Sequence, residues 1–362
     1  MEMFFTIAML GIAAIYGTFV LLVSIRWKSI PVFKSTSNEQ ANVEIIVPCK
    51  NKASYVSECI TSILDADDGS LRITFVDDGS LDDSLSIAKK ALRSTDQIIT
   101  LKESLGKKKA LDQAIRKSDR ELICTTDADC VVSTQCIKIL KAALLQEQAD
   151  LILGPVFIKK PKRLIEWFQQ FDLLATMATT QVGHHLSWFY SGSGAHMGYA
   201  QKSYQKLNPY EDNQHIASGD DIFFIDKVIA SGGSTYFIKH PSSYVLTEPE
   251  DSWSTLFRQR IRWAGKTKYY QHNGLKFLWL AVGIILLCYC LSLVLIVFQA
   301  IWMAVLIAWS VKCAVDFVLV NQMAKFYDFK IAFLPFLISL MIYPFFTVAV
   351  AMTSFFARVD RW

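Results

Sequence analysis

The residues best placed to do chemistry are Asp127 and Asp129, which close the run Leu122-Ile123-Cys124-Thr125-Thr126-Asp127-Ala128-Asp129 one residue apart. Two carboxylates at positions i and i+2 beyond a strand can present oxygen ligands to a hard divalent cation, which can in turn hold a diphosphate. Another acidic pair, Asp77-Asp78, precedes Gly79-Ser80, and Asp220-Asp221 follows Gly219. Such pairs also serve as turns and helix caps, and Ser80 or Asp82 could cap the next helix without any ligand. Which reading holds depends on whether the elements beneath bring the pairs together.

Those elements follow from the hydrophobic pattern. A β-type run at 43–47 ends at Pro48, and residues 55–66 carry apolar side chains at helical spacing. The alternation repeats with a strand at 71–76, a helix at 82–92, a strand at 97–101, a helix at 107–116, the strand beginning at Leu122, a helix at 134–147 and a strand at 150–156. Strands alternating with helices of this length imply right-handed βαβ units and a largely parallel sheet. A strand apolar on both faces belongs in the middle of such a sheet, and ligands bind beyond the carboxyl ends of the strands. Residues 48–51, 77–80 and 127–129 would then share one edge, a nucleotide site by position.

Downstream, residues 161–182 place Leu164, Trp167, Phe168, Phe171, Leu174 and Ala175 on one helical face, either core or membrane interface. His184 and His185 read as a helix end. Gly192, Gly194 and Gly198 allow the close backbone approach of a binding loop. A stripe at 253, 256, 257, 261 and 264 marks an amphipathic helix, with Gln259 and Arg262 on its other side and Arg258 and Arg260 expected to face lipid headgroups.

The 362 residues are 52% hydrophobic, with the apolar content concentrated at the two ends. Residues 3–25 contain no charge, enough helix at about 1.5 Å per residue to cross a hydrocarbon core of about 30 Å. Glu2 precedes this run and Arg26, Lys28 and Lys34 follow it, which argues against a cleaved signal peptide and puts the following domain in the cytoplasm. The tract after Lys276 runs to about residue 320, long enough for two spans joined near Gln299, and 331–356, interrupted by Pro335 and Pro344, is a third candidate. Lys266, Lys268, Lys325 and Lys330 fit cytoplasmic loops, but three full spans would leave Arg358 and Arg361 outside, so a re-entrant or interfacial last segment is the alternative. Lys312 and Asp316, four apart inside a span, form either an ion pair on one helix face or the lining of a polar site. The expected organisation is an anchor at 1–34, a domain at 35–272 with interfacial helices at about 161–182 and 252–265, and a membrane region of two to three spans at 273–362. The eight cysteines show no metal or disulfide spacing and read as small buried residues. The net charge of +4 is accounted for by basic segments beside anionic membrane lipids, and gives no case for nucleic acid.

Taken in order, Ile46-Val47-Pro48-Cys49-Lys50-Asn51, Val76-Asp77-Asp78-Gly79-Ser80, Gly106-Lys107 with Ala110-Leu111, Thr126-Asp127-Ala128-Asp129, Gly194-Ala195-His196-Met197, Gly219-Asp220-Asp221 and Gln259-Arg260-Ile261-Arg262-Trp263 resemble a membrane-anchored family 2 glycosyltransferase of GT-A fold, the group that includes cellulose and hyaluronan synthases and ceramide glucosyltransferase. The resemblance implies an α/β, Rossmann-like domain flanked by transmembrane helices. It implies that Asp78, supported by Asp77 and Pro48, meets the nucleobase of a UDP- or GDP-linked sugar. Asp129, with Asp127, would hold Mg²⁺ or Mn²⁺, Asp127 otherwise standing on the ribose side. Lys107 would add charge near the nucleotide, while Lys108 and Lys109 read as a solvated helix start.

Asp221 matches the base position of the family's Thr-Glu-Asp motif. Asp220 stands where Glu is usual and Gly219 where Thr is usual, which leaves open which aspartate is the base. Arg262 would bind the diphosphate; Trp263 and Gln259 would border the acceptor. Gly194 would line the acceptor loop, and His196 would touch the acceptor or satisfy a loop backbone. The implied protein is an inverting enzyme at a bacterial plasma membrane, acting from the cytoplasm on a lipid or glycan acceptor. The alternatives are a processive polysaccharide synthase and a non-catalytic scaffold or transporter subunit with a nucleotide-sensing fold.

Overall fold

The computed structural model describes residues 2–36, 41–214, 216, 219–298 and 302–356. In chain order the α-helices are α1 (Glu2–Ser29), α2 (Ala53–Asp65), α3 (Ser84–Ala91), α4 (Lys107–Lys117), α5 (Cys136–Gln146), α6 (Leu164–His185), α7 (Gln201–Leu207), α8 (Asp220–Ala230), α9 (Trp253–Gly265), α10 (Asn273–Phe298), α11 (Trp302–Phe326) and α12 (Phe333–Phe356). They fall into two compact units. One comprises Met1–Ile30, Lys160–Phe189 and Pro249–Arg358; Pro31–Lys159 and Tyr190–Glu248 belong to the other. The stretch 35–272, read from sequence as one domain, is therefore divided, and its two interfacial helices group with the long apolar helices.

The α/β unit contains β1 (Val43–Cys49), β2 (Leu71–Asp77), β3 (Gln97–Thr100), β4 (Leu122–Thr125), β5 (Cys130–Val132), β6 (Leu151–Leu153), β7 (Val156–Ile158), β8 (Met197–Ala200), β9 (Thr235–Phe237) and β10 (Val245–Thr247). Seven strands form one sheet in the order β3-β2-β1-β4-β8-β6-β9, and β5-β10-β7 form a second. The first four of the large sheet are parallel, as the alternation predicts, with Ile46 opposite Thr125 and Cys49 opposite Asp77. Every residue of β1 and β2 is buried, as strands covered on both faces require. Even Glu44 lies inside, matched by the Arg72 guanidinium at 2.8 Å and by the Thr74 and Ser118 hydroxyls.

Two features depart from the sequence expectation. The strand at 150–156 is two strands, because the chain leaves the large sheet at Gly154-Pro155 and joins the small one. The glycine-bearing stretch read as a loop contains β8, which runs antiparallel between β4 and β6. A Cβ on Gly198 would press on Leu140 and Leu144 at 3.0–3.2 Å, so the glycine lets α5 sit close on the sheet.

In the helical unit, α1, α10, α11 and α12 contain four segments long and apolar enough to cross a membrane. α12 is continuous through Pro344, and Pro335 falls in its first turn, where a missing N–H costs little. The expectations placed on Gln299, Arg358 and Arg361 lie outside the described residues. α1 packs along α11 through polar pairs: Tyr16 Oη donates to Asp316 Oδ1 and Ser24 Oγ to Gln322 Oε1, each at 2.7 Å. Lys312, wholly buried, lies 2.7 Å from Asp316 Oδ2, the ion pair on one helix face. Ile165, Phe168 and Leu256 of α6 and α9 pack against Ile342, Tyr343 and Phe346 of α12. Arg260 does not face lipid headgroups: it pairs with Asp172 of α6 at 2.7 Å, both largely buried, and lies 4.3 Å from the centre of the Trp263 ring. The α6 partner could not be read from the helical periodicity of α9 alone.

Candidate active site

The site stands on the carboxyl edge of the parallel strands. Beyond β1 the chain turns through Asn51 at φ +54°, and Asn51 binds the loop beyond β2: its N–H donates to Ser80 Oγ at 3.0 Å and its Oδ1 accepts from Leu81 N at 2.8 Å. Asp77 accepts from Ser80 N at 3.3 Å. The buried Asp78 carboxylate accepts from Ser104 Oγ (2.9 Å), Leu105 N (2.7 Å) and Gly106 N (3.0 Å), so this pair shapes the loop that leads into α4. Gly79 adopts φ +67°, and a Cβ there would come within 3.0 Å of Ser104 N. Pro48 lies buried inside β1, opposite Val76.

Next along the edge are Asp127 and Asp129, just past β4. Each carboxylate is held by an ammonium group. Lys107 Nζ lies 2.6 Å from Asp127 Oδ1, and Lys52 Nζ lies 2.5 Å from Asp129 Oδ2. Lys107 also reaches Asp220 Oδ2 at 2.9 Å, joining the Asp-Ala-Asp stretch to the Gly-Asp-Asp stretch. Burial works against the Lys107 charge, but Asp127 and Asp220 outweigh it and hold its pKa well above the ordinary lysine value. The Asp127 pKa is raised, first by burial and then by the neighbouring Asp220 and Asp129 charges, against the pull of Lys107.

One ligand atom from each of Asp127, Asp129 and Cys130 lies within 4.8 Å of the others. Two carboxylates that attract positive charge suit a hard divalent cation. The buried Cys130 thiol is held protonated, its pKa raised by burial and by the two carboxylates.

Asp220 and Asp221 begin α8 after Gly219, which adopts φ +95°. Asp220 is buried, its backbone carbonyl accepting from Tyr210 Oη at 3.0 Å. A Cβ on Gly194 would collide with Asp220 Oδ2 and lie 3.2 Å from Lys107 Nζ, so these side chains would have to shift to admit it. Asp221 is partly exposed and accepts from Ile222 N at 2.7 Å. The two aspartates thus differ: Asp220 is buried and paired with Lys107, whereas Asp221 is partly exposed.

Of the two readings of His196, the structure bears out the backbone one: it is an interior residue, 1% exposed, with Nδ1 3.1 Å from the backbone oxygen of Pro155 and Nε2 3.2 Å from Cys136 Sγ. Burial lowers its pKa to about 4, leaving a neutral ring with no face toward an acceptor. Lys108 is buried, not solvated: it donates to the backbone and side-chain oxygens of Asn213 and lies 4.8 Å from the centre of the Phe223 ring. Consecutive lysines at the start of α4 therefore reach three downstream positions, Lys107 to Asp127 and Asp220 and Lys108 to Asn213. Lys52 was not singled out from sequence; a basic residue directly after Asn51, on the same edge as the aspartates, was the available signal.

The remaining candidates lie on α9, in the helical unit. Gln259 donates to Glu250 Oε1 at 2.7 Å, and Glu250 N donates to Gln169 Oε1 at 2.9 Å. Among the described residues the buried Arg262 Nε has no hydrogen-bond partner. Trp263 is 40% exposed beneath Arg260.

The strand order and the acidic carboxyl edge define a GT-A-type α/β domain. Residues 44–207 match the family model described as Glycosyl transferase family 2. The chain is 26% identical over 245 residues to an N-acetylglucosaminyltransferase of Rhizobium leguminosarum bv. viciae, covering 64% of this chain and 57% of the relative. It is 33% identical over 240 residues to an N-acetylglucosaminyltransferase of Mesorhizobium japonicum, covering 62% and 56%. The chain thus spans little more than half the length of these curated relatives. A mannosyltransferase from Pyrobaculum calidifontis, solved in complex with GDP-Man and Mn²⁺, is similar in fold at a TM-score of 0.60 and 16% identity, with 98% of this chain and 99% of that one covered.

Proposed function

We propose that the protein is an integral membrane, inverting glycosyltransferase that moves a sugar from a UDP- or GDP-linked donor to a lipid or lipid-linked acceptor. Its α/β unit faces the cytoplasm at a bacterial plasma membrane. The observation that carries this reading is Lys107, whose single ammonium contacts both Asp127 and Asp220 and so joins the Asp-Ala-Asp motif to the start of α8, where Asp221 lies. The four apolar segments support a membrane acceptor. The relatives' names make an N-acetylglucosamine donor the first to try, and GDP-Man, bound by the fold neighbour, the second.

Asp129 and Asp127 would hold Mg²⁺ or Mn²⁺, which when bound neutralises charge on the departing diphosphate. The loops shaped by Asp77 and Asp78, with Pro48 beneath, would frame the nucleobase, and Lys107 would add positive charge beside the nucleotide. Asp221 is the general base: its partly exposed carboxylate takes the proton from the acceptor hydroxyl as that oxygen attacks the anomeric carbon. Asp220, engaged by Lys107, positions this start of α8. Family resemblance assigns Arg262 to the diphosphate and Trp263, Gln259 and Gly194 to the acceptor; the unpaired Arg262 Nε suits an anionic ligand.

The test is nucleoside diphosphate release from UDP-GlcNAc and GDP-Man by the purified chain with Mn²⁺ or Mg²⁺, with and without added lipid. Asp129→Asn and Asp221→Asn should each reduce turnover by about 10²-fold or more, and Asp220→Asn by less than Asp221→Asn. Unchanged turnover in the first two variants would overturn the mechanism; a larger loss in Asp220→Asn would exchange the roles of the two aspartates.

A further inference from the structure

We propose that Lys52 is a ligand of the donor diphosphate, held in reserve on Asp129 until a divalent cation takes that carboxylate. The inference rests on the transferase reading above. Lys52 stands just before α2, where the end of β1 opens onto the site. Its backbone is fixed: its N–H donates to Ser84 Oγ at 2.8 Å and the next N–H, of Ala53, to Asp82 Oδ2 at 3.0 Å. Only the side chain is left to move. That side chain is 39% exposed, whereas the Lys107 side chain is 13% exposed and tied to carboxylates on two separate segments. Of the two ammonium groups, Lys52 can leave at less cost.

Charge counting gives the direction of that exchange. Asp127, Asp129 and Asp220 face Lys52 and Lys107, three negative charges against two positive. A divalent cation on Asp129 reverses the balance and repels an ammonium 2.5 Å from the same carboxylate. The negative charge that next enters the site is the donor diphosphate, and a lysine ammonium on a flexible four-carbon stem can turn to meet it. Lys52 therefore has two opposing effects. Without donor it competes with the metal for Asp129; with metal bound it strengthens donor binding.

This sign reversal is the test. Mn²⁺ binding to the full chain without nucleotide is followed by the electron paramagnetic resonance of free Mn²⁺, and binding of UDP and GDP at saturating Mn²⁺ by calorimetry. Lys52→Met should bind Mn²⁺ about three- to fivefold more tightly and the preferred nucleoside diphosphate about three- to fivefold more weakly, the scale of one partly exposed ion pair. Lys52→Arg, which keeps the charge, should stay near wild type in both. A structural defect would weaken both affinities together, and that result, or no change in either, overturns the proposal. If the wild-type chain binds neither Mn²⁺ nor a nucleoside diphosphate, the transferase reading fails and the role of Lys52 fails with it. If wild type binds both and Lys52→Met matches it, only the Lys52 proposal fails.

Discussion

Gly194 shows how much of the site depends on an atom that is missing. Asp220 Oδ2 and the Lys107 ammonium meet where a side chain at 194 would stand. Gly194→Ala should therefore force the pair apart and shift the first turn of α8, which carries Asp221. Because misplacement by about 1 Å can cost about 10²-fold in rate, turnover should fall by ten- to a hundredfold while Mn²⁺ affinity changes little. Steady-state kinetics beside Mn²⁺ titration checks this, and wild-type turnover would show that the pair does not position the base. Asp127 and Asp129 were legible in the sequence because they follow a strand on the carboxyl edge of the sheet, whereas Lys107 and Asp220 were marked only by the order of motifs that the resemblance supplied. The burial of Lys108 was not legible, since a lysine in a lysine-rich helix start reads as surface until its partner Asn213 is known, and for His196 the backbone role was one of two open readings until Pro155 was seen as its partner.

Among the elements, the alternation of strand and helix from β1 to α5 could be read from periodicity, and the parallel register followed from it. β8 could not. Its four residues include a glycine, and its pairing comes entirely from β4 and β6, far away in sequence. The same limit applies to α9, whose amphipathic stripe was visible but whose Arg260 has its partner on α6. Asp172→Asn should leave the Arg260 guanidinium buried without its counter-charge and release it from its place beside Trp263. The expected result is a raised KM for acceptor by about three- to tenfold with little change in the KM for donor, together with altered Trp263 fluorescence. Equal effects on both substrates would assign the pair to general stability instead.

For the molecule as a whole, the helical unit is assembled from three separate stretches of chain. Its interior carries Lys312 and Asp316 with Tyr16, and removing one member of a buried ion pair typically costs more than removing both. Lys312→Met should therefore lower the thermal midpoint in detergent, whereas Lys312→Met with Asp316→Leu should recover much of the loss. Equal midpoints for wild type and the single variant would mean that the pair is not a structural unit. The sequence placed this pair on one face of a helix, but not Tyr16, which lies 300 residues before Asp316.

That separation has a consequence in time. α1 is synthesised first, and its hydroxyl-bearing residues Tyr16 and Ser24 have their partners on α11. At about 5–20 residues per second, roughly 15–60 s of translation separate a donor on α1 from its acceptor on α11. During this interval the whole α/β unit emerges and can fold while the first helix waits with its polar groups unmatched. A newborn chain stalled before α11 would thus present a folded α/β unit behind a helix whose polar groups are still open to capture by other helices or by quality-control proteases.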